Sequence, residues 1–170
     1  AECANRAPTL ILSNPNYVKK VVFPLEALAW VSVGTACFHT LVSTTVLLLA
    51  QLALMNAIPP TAISFPLVLV SFLPVVVGTV WLLSSIGVYV RDMQQVVGVV
   101  TLALLFLAPV FYPASMLSEQ YRWLLLLNPL TIIIEQFREV LIWGRWPNLG
   151  LLMTYFTLGS VYAWVSYWWF

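Results

Sequence analysis

Residues 27 to 90, a run of 64, contain no Lys, Arg, Asp or Glu. Soluble domains carry about 25% charged residues, whereas this chain carries 8% and has a mean hydropathy of +0.96. As a single helix the run would measure about 96 Å at 1.5 Å per residue, roughly three times the ~30 Å hydrocarbon core of a bilayer. It must therefore turn. Asn56-Ala57-Ile58-Pro59-Pro60 supplies the turn, because two consecutive prolines cannot continue a helix. The pattern predicts one crossing at 27–55 and a second at 65–90. The second contains Pro74 and Gly78, which mark a kink or a close helix contact and are tolerated in membrane helices.

Arg91-Asp92 ends the second crossing, since a turn at the water surface is the inexpensive place for charge. A third uncharged run gives a crossing at 93–117, broken at its far end by Pro109 and Pro113. Residues 119–148 differ. The apolar centre of this stretch, Trp123 to Ile134, is split by Asn128-Pro129, and Glu135, Gln136, Arg138 and Glu139 make the second half amphipathic. About 10–14 apolar residues are too few to span and read as re-entrant or interfacial. Two short helices around Pro129 are expected to dip into the membrane and return to the same side. The last run, 149–170, is a fourth crossing. Residues 1–26 hold Glu2, Arg6, Lys19, Lys20, Glu26 and three prolines; they are not a span, and SNPNYVKKVVFP within them reads as a short polar helix or turn at the interface. The expected fold is one all-α integral membrane domain over 1–170, with four transmembrane helices plus a short re-entrant or interfacial helix pair.

Composition excludes several functions. A net charge of +1 gives a nucleic-acid partner no electrostatic support. Cys3 and Cys37 have neither a disulfide framework nor a metal spacing. No Gly-Lys pair occurs, so the chain holds no P-loop for ATP. An intramembrane enzyme would need paired catalytic groups at membrane depth. Only His39, with Ser43 four residues on, approaches this, and no acid lies beside them in sequence. A channel or secondary transporter usually places charge within its spans, and these predicted spans hold none.

Three motifs occur in order. SNPNYVKKVVFPLE precedes the first crossing, GVYVRDMQQVVG forms the charged turn, and LFLAPVFYPASMLSEQYRWLLLLNPLTIIIEQFREVLIWG closes the third crossing and the broken segment. Together, from about Ser13 to Phe170, they resemble the membrane permeases of ABC-2 type exporters, in their polysaccharide, O-antigen and teichoic acid branch. The resemblance implies a multi-pass permease of the bacterial cytoplasmic (inner) membrane that moves a lipid-linked glycan. It implies a homodimer resting on two copies of a separate ATPase subunit, which binds the ATP and Mg; this chain itself binds no cofactor. Against the family pattern the chain is expected to lack an amphipathic N-terminal helix and the first two spans, save the end of the second in residues 1–12, and so not to work alone. Within the family, a drug or small lipid is the alternative cargo; outside it, a non-ABC channel or transporter.

Basic residues fall on both faces, Arg6, Lys19, Lys20 and Arg91 on one and Arg122, Arg138 and Arg145 on the other, so charge bias alone leaves the orientation open. The resemblance puts the Lys19-Lys20 face in the cytoplasm. An ATPase pushes only on groups it touches, so Asn16, Tyr17, Lys19, Lys20, Arg91 and Asp92 are the candidate coupling contacts. The competing reading of Lys19 and Lys20 is anchorage at anionic headgroups, worth about 1 kcal/mol each. Irregular backbone at membrane depth survives only when buried in protein or lining a watery cavity. Pro109, Phe111, Tyr112, Pro113, Asn128, Pro129, Glu135 and Arg138 are therefore the candidate translocation path and outer gate. The Glu135–Arg138 pair at i and i+3 reads equally as a surface ion pair on an interfacial helix. Tyr155 and Tyr162 are attractive pore aromatics, although Trp and Tyr also gather at membrane interfaces, as the 167–170 cluster does. Gly34, Gly78, Gly87, Gly98 and the Gly159-x-x-x-Ala163 pair are expected to let helices pack closely.

Overall fold

The computed structural model describes residues 1–14, 25–55, 58–90, 92–108 and 128–170. Among them every regular element is helical. A short helix α1 (Glu2–Arg6) runs into a 3-10 turn, Ala7–Thr9. Helix α2 spans Glu26–Met55, and a 3-10 turn at Pro60–Ser64 leads into α3 (Phe65–Tyr89). Helix α4 is Met93–Leu107. Helix α5 (Pro129–Arg138) continues as a π turn at Glu139–Trp143, and α6 is Leu149–Trp169.

Three of these helices are long and apolar enough to cross a membrane: Glu26–Leu54, Pro60–Tyr89 and Leu149–Trp169. The double-proline turn falls where the sequence places it. The third expected crossing, 93–117, is represented by α4, whose 15 residues make about 22 Å. It ends at Ala108, which is extended at φ −74°, ψ 144°. The next residue is Pro109, and a residue before proline is pushed out of the helical region. Residues 109–117 of that expected crossing, and the first half of the re-entrant pair, lie outside the described residues.

The most extensive packing joins α3 to α6. Between helices in lipid there is little hydrophobic gain, because acyl chains are as apolar as leucine, so close van der Waals fit decides which faces meet. The fit here comes from small residues. A Cβ on Gly78 would lie 2.8 Å from Ala163 Cα, and one on Gly159 would lie 2.8 Å from Val75 Cγ2. Gly87 has the same role toward the N-terminal segment, since a Cβ there would lie 2.6 Å from Pro8 Cα. Gly34 and Gly98 face open space instead, so the expectation of close packing fails at those two.

Residues 2–9 are wedged among α2, α3 and α4, with Cys3, Ala7 and Pro8 buried. Cys3 and Ala7 join Ala29 and Val33 of α2 and Val77, Val80 and Trp81 of α3 in one core cluster. A second cluster, at the other end of the bundle, gathers Phe65 and Val68 of α3, Ile133 of α5, Val140 and Leu141 of the π turn, and Leu152 and Tyr155 of α6. The bundle thus has a Glu26 end, where α2 begins and α3 and α6 finish, and a Gln51 end, where α2 finishes and α5 is seated.

Candidate functional site

At the Gln51 end the chain must satisfy a helix that starts inside the protein and ends in a turn with two buried residues, Val140 and Leu141. Helix α5 begins at Asn128, which is 1% exposed. Its Oδ1 accepts from the Leu130 N–H at 3.0 Å, capping the helix, and its Nδ2 donates to the Leu104 carbonyl of α4 at 3.1 Å. Asn-Pro is therefore both a start signal and a pin onto α4. Pro129 at N1 costs nothing, because that N–H would have no helical partner. The Pro129 carbonyl accepts from the Tyr155 hydroxyl of α6 at 3.0 Å. Tyr155 is 8% exposed among helices, and its hydroxyl donates to this bond. Tyr162 packs against Gly78 in the α3–α6 seam, so it too is a packing residue.

The far end of this helix widens into the π turn and stops at Gly144, whose φ of +64° is the left-handed conformation that ends helices. The Gly144 and Arg145 N–H groups both donate to the Glu139 carbonyl. The following carbonyls have no backbone donor ahead of them, as at any helix end. Two of them are capped from elsewhere. Gln51 Nε2 of α2 donates to the Leu141 carbonyl at 2.8 Å, and Thr61 Oγ1 of the 3-10 turn donates to the Val140 carbonyl at 2.7 Å. Gln136, 6% exposed, accepts from the Asn148 N–H at 2.9 Å, tying α5 to the cap of α6. Sequence reading missed Gln51 and Thr61. The available signal was that Gln51 is the single amide in the uncharged run of α2.

Glu135 and Arg138 lie on α5, half-buried. Burial pushes the Glu135 carboxyl above its ordinary range, Glu139 adds to this, and the Arg138 guanidinium opposes it. Of the remaining candidates for the gate, Pro109, Phe111, Tyr112 and Pro113 lie outside the described residues.

A cleft of about 610 Å³ opens between α1, α2, α3 and α4 beside this region. His39 stands on its wall, about 20 Å along a helix of about 45 Å by rise per residue. His39 Nδ1 lies 3.2 Å from Glu2 Oε2, and Glu2 Oε1 lies 3.2 Å from the Arg6 guanidinium. The sequence reading had no acid beside His39; folding brings one from 37 residues away. Ser43 lies on the same wall. Thr40, Thr44 and Thr79, which also line the cleft, each donate to the carbonyl four residues before them. Their hydroxyl protons are thus committed to their own helices. Among the described residues no group of three His, Cys, Asp or Glu side chains is placed to hold a metal.

At the Glu26 end, the Glu26 carbonyl accepts from Trp81 Nε1 of α3 at 3.4 Å, and Glu26 Oε1 accepts from the Tyr167 hydroxyl of α6 at 3.4 Å. The Trp81 and Tyr167 rings meet at 5.1 Å, tilted by 57°. Tyr167 is thus a helix tie, while Trp168 and Trp169 remain 84% and 65% exposed. Asp92 is exposed at the start of α4. The other candidate coupling residues, Asn16, Tyr17, Lys19, Lys20 and Arg91, lie outside the described residues.

The chain is similar to two O-antigen export system permease proteins RfbA of Klebsiella pneumoniae. One is 22% identical over 92% of this chain and 61% of the relative; the other is 23% identical over 85% and 56%. A third protein of that name, from Myxococcus xanthus, is 27% identical over 86% of this chain and 57% of the relative. The chain therefore spans about six tenths of the length of the curated relatives it matches. The family model described as ABC-2 type transporter matches residues 1–142. With three helices suited to crossing a bilayer, this multi-pass membrane chain belongs to the ABC-2 type transporter family.

Proposed function

We propose that this chain forms most of the membrane-spanning permease of an ATP-driven exporter that carries a lipid-linked polysaccharide, of O-antigen, capsule or teichoic acid type, across the bacterial cytoplasmic membrane. The permease works as a homodimer on two copies of a separate ATPase, which holds the ATP and Mg. The observation that carries this reading is the short helix α5 seated at one end of a bundle of otherwise long helices, in a chain whose relatives are named for O-antigen export.

A broken helix at membrane depth has to be buried in protein or to line a cavity. Helix α5 is buried on one side through Thr131, Ile133 and Gln136, and its other residues are half-buried or exposed. In this reading its half-buried side, with Glu135 and Arg138, and the preceding Pro109, Phe111, Tyr112 and Pro113 form the outer gate of the path. The Glu26 end then faces the cytoplasm. Asn16, Tyr17, Lys19 and Lys20 enter α2, Arg91 and Asp92 enter α4, and the ATPase presses on both.

The test uses the full-length permease with its ATPase in cells that lack the native permease. Tyr17→Ala with Lys20→Ala should abolish surface glycan at normal permease levels while the purified complex still hydrolyses ATP. Copurification of a P-loop ATPase should survive Asn128→Ala, which acts at the other end. Unchanged surface glycan in the Tyr17→Ala, Lys20→Ala variant would sink the coupling assignment. Restoration of drug resistance, with no effect on glycan, would move the substrate to the small-molecule branch.

A further inference from the structure

The π turn that ends α5 leaves two buried carbonyls, on Val140 and Leu141, residues 0% and 7% exposed. A buried carbonyl without a donor is costly, so each position requires one. The donors come from 79 and 90 residues away, as Thr61 and Gln51. Gln51 lies near the end of α2, and Thr61 lies in the turn that opens α3. The opposite end of α5 is bound to a different helix, through Asn128 Nδ2 on the Leu104 carbonyl of α4. Helix α5 is therefore a bridge, with α2 and the α2–α3 turn at its finish and α4 at its start.

We infer that Gln51 and Thr61 are positioning residues, which latch the end of α5 to α2 and so convert a displacement of α2 against α4 into a rotation of α5. This rests on the reading of α5 as a gate. Both bonds tie this turn to distant donors, and they sit where a longer α-helical continuation would have capped itself. A side-chain cap also breaks and reforms without unfolding either helix, as a moving joint requires. Gln51 Oε1 is buried with no partner among the described residues, so the amide retains an unused acceptor for a second position of the joint.

The test uses the full-length permease with its ATPase, as Thr61→Val, Thr61→Ser and Gln51→Met. Valine and methionine keep the shape and remove the donor, while serine keeps the hydroxyl. Three quantities are read: surface glycan, ATP hydrolysis by the purified complex, and hydrogen exchange of the amides of residues 139–146. Thr61→Val and Gln51→Met should each lower export about 3- to 10-fold, leave ATP hydrolysis within about twofold, and speed exchange at 139–146 about 10-fold. Thr61→Ser should restore wild-type values of all three. Faster exchange with undiminished export would overturn the inference, because the bonds would then be structural alone. Unchanged exchange would overturn it too, because the latch would not hold the turn. A wild-type complex that exports no glycan would instead refute the substrate reading, and the exchange measurement would still decide whether the latch exists.

Discussion

The two ends of the bundle are held by different chemistry. At the Gln51 end, buried side chains reach main-chain groups: Gln51, Thr61, Asn128 and Tyr155 each donate to a carbonyl of another element at 2.7–3.1 Å. At the Glu26 end the ties are looser. Two contacts to Glu26 measure 3.4 Å, and the tilted ring contact of Trp81 with Tyr167 adds to them. The reason is where the helices stop. At the Glu26 end α3 runs out to Tyr89 and Val90, which are exposed, so water can take its last carbonyls. At the Gln51 end α5 starts at the buried Asn128 and its π turn keeps Val140 and Leu141 buried, so these polar groups need partners from within. The lesson is that hydrogen bonds follow broken backbone, and that irregular structure in a membrane is assembled from several helices at once.

Substitutions can break or sharpen this contrast, each read as thermal stability of the full-length protein in detergent. The largest loss is expected for Asn128→Leu, which removes the cap of α5 and the tie to α4 together, about 3 kcal/mol. Next is Gly78→Ala, about 2 kcal/mol, because the new methyl meets the backbone of Ala163 at 2.8 Å. Gly34→Ala is its control and should be neutral or stabilising by up to about 1 kcal/mol, since that site is open. Tyr155→Phe should cost about 1 kcal/mol by leaving the Pro129 carbonyl without its donor. Tyr167→Phe, the matching change at the other end, should cost less than about 0.5 kcal/mol, the lower edge for a hydrogen bond. If Tyr167→Phe costs as much as Tyr155→Phe, the contrast between the ends is wrong.

The smallest effect is a pH slope. Folding raises the Glu135 carboxyl above the ordinary 4.5, so the folded state holds that proton more tightly than the unfolded chain. The stability it lends is fully present below pH 4.5 and is lost as the pH rises through the raised value. Glu135→Gln should flatten the melting temperature across that window. An unchanged slope would show that the carboxyl is better solvated than its half-buried place on α5 implies.

Much of the fold is legible in the sequence because the bilayer restricts the options. The uncharged run and Pro59-Pro60 give α2 and α3 almost to the residue, and Asn128-Pro129 marks the start of α5. Pairings between distant segments are harder to read. Nothing local in Glu2 points to His39, nor in Thr61 to Val140, since those contacts depend on how helices are rotated about their axes. Gly34 and Gly98 show the same limit. A small residue permits close approach but does not say which face of a helix will be approached. The aromatics followed suit: Tyr155 was read for its ring, yet its hydroxyl decides its place.

The wedged segment 2–9 has a consequence for how the chain is made. Pro8 rests against Gly87, and Ala7 is fully enclosed. That enclosure cannot exist until α3 has been synthesised, 79 residues after Pro8. At about 5–20 residues per second the segment waits about 4–16 s for its walls. Through that interval its own Glu2–Arg6 pair, four residues apart, is a partner already at hand. Early self-neutralisation lets a charged turn of helix stand beside lipid until its neighbours arrive.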